Sequence, residues 1–283
     1  MNRIRREKHY EAQDTKVVVD YITDRGQYHA AHWQNELEII YLLNGNAQII
    51  LDGQAVHLVQ GEFIVIDSNR IFDFQCRESF MQISVHVEKE FLATKIAGED
   101  PANGVRKYYC FREDLTAEQL DPYLETCDLF KQLVSLYINE PAGYRLKTES
   151  IILDILYHLV RYFSQPASGL DTPVQSQDQD RIRQILSYVE EHYSEPFSLG
   201  EISSAFGLSR EYFSRLFHQK LGITLSEHIT RVRIAHFYHD LISGDEPVMQ
   251  LLEKHGLTNY KQFNRLFREI YGCTPRQLRK IVS

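Results

Sequence analysis

Apolar and polar positions change period twice along the chain. Residues 37–43, 47–51, 55–59, 62–66 and 81–87 form short, β-rich apolar runs. Turn residues separate them: Asn44-Gly45-Asn46, Asp52-Gly53 and Gln60-Gly61. Asp-Gly between two apolar runs is a strong hairpin signal, because both residues tolerate positive φ. Many short strands at this spacing predict a sandwich or small barrel. The period then turns helical over residues 121–138 and 145–163. In the second stretch Ile151, Ile152, Ile155, Leu156, Leu159 and Val160 form a wide apolar stripe. Such a stripe either covers the adjacent sheet or forms a dimer face, and the pattern leaves both readings open.

Residues 164–180 read SQPASGLDTPVQSQDQD and have no apolar periodicity. A segment so rich in Ser, Gln, Asp and Pro buries too little surface to order itself, so a flexible linker is expected there. It divides the chain into a part spanning 1–163 and a part spanning 181–283.

The second part contains an internal repeat. Gly207-Leu208-Ser209, Phe213-Ser214-Arg215-Leu216-Phe217 and Gly222-Ile223-Thr224 recur as Gly256-Leu257-Thr258, Phe263-Asn264-Arg265-Leu266-Phe267 and Gly272-Cys273-Thr274. The offset grows by one residue between the glycine and the phenylalanine, which implies one extra residue in the second turn. In the first copy Ser198 and Glu201 form a capping box that starts a helix, and Gly207 ends it. Ser209 caps a second helix that Gly222 stops. Helix, glycine-containing turn, helix is the helix-turn-helix arrangement. In the second copy Pro247 suits the first helical position, Gly256 marks the turn, and a helix follows from Tyr260. A connecting helix over residues 225–242, begun by a Thr224/Glu227 capping box, spans roughly 27 Å at ~1.5 Å per residue. That length holds two recognition helices about one DNA turn apart, ~34 Å, or requires bent DNA if the separation is shorter.

The second helix of each unit has two faces. Phe213, Leu216, Phe217 and Leu221 share one side, as do Phe263, Leu266, Phe267 and Ile270, and both sets are core anchors. The other side carries Glu211, Ser214, Arg215 and His218 in the first unit, and Lys261, Asn264, Arg265 and Arg268 in the second. A polar stripe is usually a solvated face. These side chains, however, are the donors that contact base edges and phosphates, and they recur in a repeated frame. Arg210 and Tyr260 stand at the helix starts, which point into the major groove in this docking mode.

Composition changes this picture little. The chain has 283 residues, and its charged and hydrophobic fractions are ordinary for a globular protein. The net charge of −8 opposes nucleic acid at first sight. Residues 178–283 nevertheless carry a net +1 and the remainder −9. Phosphate binding depends on a local basic face and not on the chain total. The N-terminal residues lack the apolar stretch of a signal peptide, and no apolar run is long enough for a spanning helix, so a cytoplasmic protein with no membrane partner is expected. Cys76, Cys110, Cys127 and Cys273 are too scattered for a zinc or redox pair, and reduced structural thiols are expected.

Residues 181–282 resemble the DNA-binding domain of the AraC-type (arabinose-regulator-like) transcription regulators. The stretch GLTNYKQFNRLFREIYGCTPRQLRK, residues 256–280, carries the family signature, with Phe263, Arg265, Phe267, Gly272, Thr274, Pro275 and Arg279 in place. By position the resemblance implies base or phosphate contacts from Ser214 and Arg215 in the first unit. It implies the same of Tyr260, Lys261, Asn264 and Arg265 in the second. The first unit departs at Leu225, where proline is common.

The N-terminal part resembles the cupin-like sensor domain of such regulators, with His32-Trp33-Gln34, Glu38, Gly45 and Gly61 spaced as in its motifs. Metal cupins hold their ion with three His and one Glu. Gln34 and Phe72 stand at two of those positions and are poor transition-metal ligands. No metal, no cofactor and no enzyme chemistry are therefore expected, and a metal-dependent cupin enzyme fused to a DNA-binding module is the alternative. A pocket lined by Arg25, His32, Gln34, Glu38 and Phe72, near Trp33 and Tyr41, suits a small-molecule effector such as a sugar. The opposing reading makes His32 and Glu38 satisfied polar groups in a packed barrel.

The expected fold is α+β: a cupin-like β-barrel with two flanking helices, a linker, and an all-α domain with two helix-turn-helix units. The expected function is sequence-specific binding of double-stranded DNA to regulate transcription. The chain is expected to be a homodimer and an activator under effector control, with RNA polymerase a further candidate partner.

Overall fold

The computed structural model describes residues 6–12, 17–97, 106–166, 173–196 and 198–282. The N-terminal part is a curled antiparallel sheet. Its strands are β1 (Arg6–Ala12), β2 (Val17–His32), β3 (Leu37–Asn44), β4 (Asn46–Leu51), β5 (Gln54–Val59), β6 (Phe63–Ile66) and β7 (Phe72–Val87). The order runs β1-β2-β7-β3-β6, with β4 paired to β5 and to β7. Strand β7 organises the sheet. Its first half pairs with β4 through Phe72–Cys76, and its second half with β3 through Met81–Val87. Both halves pair with β2 on the opposite edge. A helix α1 (Lys89–Ala97) and a short strand β8 (Arg106–Tyr108) follow.

The expected turns form as their chemistry requires. Asp52 and Gly53 both take positive φ, 48° and 84°, and close the β4–β5 hairpin. Gly45 is needed for space as well: a Cβ there would stand 2.9 Å from Cβ of Phe80. Strands β1 and β2 lie before the first apolar run that the pattern marked, and β7 begins well ahead of residue 81.

The two sheet faces bury different partners. One face packs Leu37, Ile39, Tyr41, Val85 and Val87 against α2 (Ala117–Asn139) and α3 (Tyr144–Tyr162). Tyr41 stacks on Phe130 at 4.9 Å, so it faces the helices and not the barrel interior. The stripe Ile151, Ile152, Ile155, Leu156 and Leu159 is buried in this same cluster, so it covers the sheet. The opposite face of α3, with Leu146, Leu153 and Tyr157, is exposed, as are Leu120, Leu124 and Ile138 of α2. The inner sheet face is filled by Ile40, Leu42, Ile49, Ile66, Phe72, Phe74 and Phe80.

Residues 164–180 differ from the expected linker. Ser164–Pro166 form β9 and pair with β8, and helix α4 begins at Pro173 and runs to His192. The apolar stripe Ile182, Ile185, Leu186 and Val189 anchors α4, and the helix propagates back through polar residues once that face is packed. The Tyr212 hydroxyl donates to Asp178 at 2.9 Å, and Arg181 pairs with Asp178 three residues earlier. Residues 167–172 lie outside the described residues.

The C-terminal part is all helical: α5 (Leu199–Ala205), α6 (Arg210–Leu221), α7 (Leu225–Ser243), α8 (Val248–Lys254), α9 (Tyr260–Tyr271) and α10 (Pro275–Val282). Its core is not its own alone. Tyr28, Ala30 and Ile71 of the N-terminal sheet are buried in the same cluster as Ile234, Phe237, Phe263 and Phe267. The Tyr238 hydroxyl donates to the Gly26 carbonyl at 2.6 Å, and the Trp33 indole N–H to the Arg183 carbonyl at 3.0 Å.

Candidate nucleic-acid interface

Two copies of one unit build the candidate surface. In the first, Ser198 accepts from the Glu201 amide at 3.1 Å while the Glu201 carboxylate accepts from the Ser198 amide, and this reciprocal box starts α5. Ser209 caps α6 by accepting from the Tyr212 amide at 3.2 Å, and Gly222 ends it at φ 70°. In the second, Pro247 is the residue before α8 and not its first. The extra turn residue is resolved as Thr258: the cap of α9 is Asn259, which accepts from the Gln262 amide at 3.1 Å. The sequence pattern had no cap for this helix. Helices α6 and α9 each have 12 residues and end on a positive-φ glycine, Gly222 and Gly272.

The anchors lie inside and the polar stripes outside. Phe213, Leu216 and Phe217 are buried, and so are Phe263, Leu266, Phe267 and Ile270. Leu221 is only half-buried. Arg210, Ser214, Arg215, His218, Tyr260, Lys261, Arg265 and Arg268 are all exposed, and Asn264 is half-buried. Arg210 lays its guanidinium over Gly200 of α5, where no Cβ stands. Arg215 lies over the Tyr212 ring at 5.7 Å. Asn264 donates to the Tyr260 carbonyl at 3.0 Å, and Arg265 reaches Glu269 at 3.3 Å.

The units share one groove of about 560 Å³. Ser214 of α6, Ser226 and Thr230 of α7, and Asn259 and Gln262 at the start of α9 all line it. Of the nine expected contact residues, Ser214 is among its lining. Polar donors on exposed helix faces suit contacts to phosphates and base edges.

The connecting helix α7 is half-capped. Thr224 accepts from the Glu227 amide at 3.2 Å, but the Glu227 carboxylate turns to Arg231 at 3.0 Å instead of closing the expected box. Arg231 also meets Glu269 of α9 at 3.0 Å and the Tyr28 hydroxyl of β2 at 3.4 Å. Burial works against its charge, but Tyr28 and Glu227 hold its pKa above the ordinary arginine value. His228 is buried in the core beside Phe217, and burial pushes its pKa down to about 4. No periodicity singled out Arg231 or His228, because both interrupt the apolar stripe of α7.

Of the five residues expected to line a barrel pocket, the four with described side chains fall into two pairs. The side chain of Arg25 lies outside the described residues. Phe72 is 2% exposed within the packed inner face and meets the His32 ring at 4.4 Å. Gln34 donates to Glu38 at 2.9 Å, and His86 stands 3.8 Å from the same carboxylate. His32 lines a cavity of about 450 Å³ between β2 and helices α4 and α7. Tyr28, Trp33, Glu190, His236 and His239 also line it. The barrel interior is filled because its inward positions are Ile, Leu and Phe, packed to the density of a core.

Comparison with known proteins agrees with the architecture. A model of an AraC-binding-like domain matches residues 19–160, half of the chain, and a helix-turn-helix domain model matches residues 202–281. An uncharacterized HTH-type transcriptional regulator of Staphylococcus aureus is 24% identical over 245 residues, covering 87% of this chain and 31% of its own length. YisR, an uncharacterized HTH-type transcriptional regulator of Bacillus subtilis, is 27% identical over 155 residues, covering 54% of this chain and 50% of its own. The chain thus spans about a third of the length of the staphylococcal relative and half of that of YisR. Apo ToxT from Vibrio cholerae is 13% identical and aligns over 98% of this chain and 100% of its own, with a TM-score of 0.48. With a sensor-domain match preceding a helix-turn-helix match, and two such units in the structure, the chain belongs to the AraC-type family of DNA-binding transcription regulators.

Proposed function

We propose that this chain reads a bipartite site in double-stranded DNA, one half with each recognition helix. In this reading Arg210, Ser214, Arg215 and His218 serve the first half. Tyr260, Lys261, Asn264, Arg265 and Arg268 serve the second. The observation that carries it is the repeated frame of α6 and α9, two capped 12-residue helices whose phenylalanines are buried and whose polar stripes are open to solvent. Residues 1–163 sense, residues 181–283 bind DNA, and residues 164–180 join them. Selection of bound duplexes from a random pool tests this, and two conserved half-sites in the selected sequences are the expected result. Recovery of a single half-site, or of no preference, overturns it. Affinity falls with salt in proportion to the phosphates contacted.

The effector is a small molecule, and the cavity between β2 and α4/α7 receives it. Aromatic faces from Tyr28 and Trp33, with polar groups from Glu190, His32 and His236, suit a hydroxylated ligand such as a sugar. Binding there acts on DNA recognition because the cavity walls come from both domains, so a ligand distinguishes their docked and separated arrangements. Calorimetric titration with a sugar panel, repeated on His236→Ala, checks the site.

The exposed apolar residues Leu146, Leu153 and Tyr157 of α3, with Leu120 and Leu124 of α2, support a homodimer through this face. Light scattering of Leu153→Glu is expected to show a monomer. No helix among the described residues is long and apolar enough to cross a membrane. A cytoplasmic activator that contacts RNA polymerase is the corresponding cellular role.

A further inference from the structure

Glu269 sits four residues after Arg265 on the second recognition helix. One of its carboxylate oxygens meets Arg265 at 3.3 Å and the other meets Arg231 at 3.0 Å. Arg231 belongs to the connecting helix, is largely buried, and is held by Glu227 of its own helix and by the Tyr28 hydroxyl of the sensor strand β2. A second sensor residue acts on the same helix end. The Gln75 amide of β7 donates to the Ile270 carbonyl at 2.6 Å and to the Glu269 carbonyl at 3.4 Å. A continuous path of contacts therefore runs from the sensor sheet through Arg231 and Glu269 to Arg265.

The first unit is joined to the sensor sheet by a different route, through α4: the Trp33 indole donates to the Arg183 carbonyl, and the Tyr212 hydroxyl donates to Asp178. The residue four places after Arg215 is Gln219, which carries no charge. Arg215 lies over the ring of Tyr212, whose hydroxyl is bound to Asp178 of α4. The same helical position thus holds a carboxylate in one unit and a neutral amide in the other.

We propose that Glu269 holds Arg265 back from DNA, and that the sensor domain sets the strength of that restraint through Tyr28, Gln75 and Arg231. This rests on the reading of Arg265 as a DNA contact. A carboxylate beside a DNA-contacting arginine competes with phosphate or base acceptors for the guanidinium, and it repels the phosphates. Arg231 offsets that charge while the sensor keeps it in place. When Tyr28 and Gln75 release the helices they hold, Glu269 is left to Arg265 alone and DNA binding weakens at the second half-site. Through this carboxylate, sensor docking is transmitted to the second recognition helix.

The test is a set of double-mutant cycles in the full-length chain, read as affinity for a duplex carrying both selected half-sites. Tyr28→Phe combined with Gln75→Ala is expected to weaken binding about threefold or more in the wild-type and Arg215→Ala backgrounds, a size ordinary for coupled neighbours. The same pair is expected to have no effect in the Arg265→Ala and Glu269→Gln backgrounds, and Glu269→Gln alone is expected to bind more tightly. These substitutions touch partly exposed groups or remove a single hydroxyl or amide, and circular dichroism confirms folding of each variant. Equal losses in all backgrounds overturn the relay, because a merely structural effect is indifferent to Arg265. If Arg265→Ala alone leaves DNA affinity unchanged, the reading of Arg265 as a contact fails, and the relay falls with it.

Discussion

The two helix-turn-helix units share a frame and differ in what holds them. In the first, α6 ties to the interdomain helix α4 through Tyr212 and Asp178, and its core includes the buried imidazole of His228. In the second, the position equivalent to His228 is Leu278, also buried, and α9 is tied to the sensor sheet through Gln75. The caps of the helices that follow differ likewise. Thr274 and Gln277 form a reciprocal box, whereas Glu227 leaves Thr224 for Arg231. A duplicated unit keeps the contacts that make it fold and diverges in those that connect it to its surroundings. A carboxylate four residues after the exposed arginine is found in one copy, as Glu269, where the other has Gln219.

Experiments on equivalent positions break or sharpen this comparison. The largest effects are expected to be equal. Phe213→Ala and Phe263→Ala each empty a fully buried ring site and are expected to cost about 3–5 kcal/mol in urea unfolding. A large difference between them would mean that the two cores are not equivalent.

The next effect belongs to the first unit alone. Burial lowers the pKa of His228 to about 4, against the weaker opposing pull of Glu190 and with Arg231 and His32 adding to the depression. The stability from its neutral form is present above its unfolded value and lost as pH falls from about 6.5 through 4, about 3 kcal/mol in all. Asp73 acts in the opposite sense. Burial raises its pKa to about 6, so its contribution is full at low pH and lost as pH rises through that value. Comparing wild type with His228→Leu, which copies Leu278, cancels the Asp73 contribution. The variant is expected to resist acid better, and an unchanged acid profile would show that His228 finds a partner on protonation.

Smaller again are the effects at the proposed DNA contacts. Arg215→Ala and Arg265→Ala are each expected to cost about 1–3 kcal/mol, with relaxed specificity in one half-site only. A uniform loss across sequences assigns a phosphate contact instead. The smallest differences are at the caps, where Ser209→Ala and Asn259→Ala are each expected to cost about 1 kcal/mol of thermal stability.

Elements with local causes were legible in the sequence. The Asp52-Gly53 hairpin, the Ser198 and Ser209 caps, the terminal glycines and the inward phenylalanines each follow from a few neighbouring residues. What escaped depended on distant partners. Strand β2 has mixed polarity because its end near Tyr28 and Ala30 packs on the DNA-binding core instead of on the sheet's own helices. The polar start of α4 reads as a linker until Tyr212 is known to reach Asp178. The expected effector residues share a sequence motif, but their strands bury Phe72 and pair Gln34 with Glu38, while His32 faces a cavity toward α4 and α7. The polar face of α9 was visible as a stripe. The role of Glu269 within it was not, because Arg231 arrives from another helix and Gln75 from another domain.

Tyr28, Ala30 and Ile71 complete the hydrophobic interior of the helical half from across the domain boundary. The chain is therefore not divisible where its composition changes. A fragment cut free near residue 173 would uncover apolar surface around Val232, Ala235 and Tyr238, prone to self-association in solution. An isolated sensor would likewise leave Tyr28 and Ile71 wetted. Each half acts as a chaperoning lid for the other, and severing them alters solubility before it alters gene control.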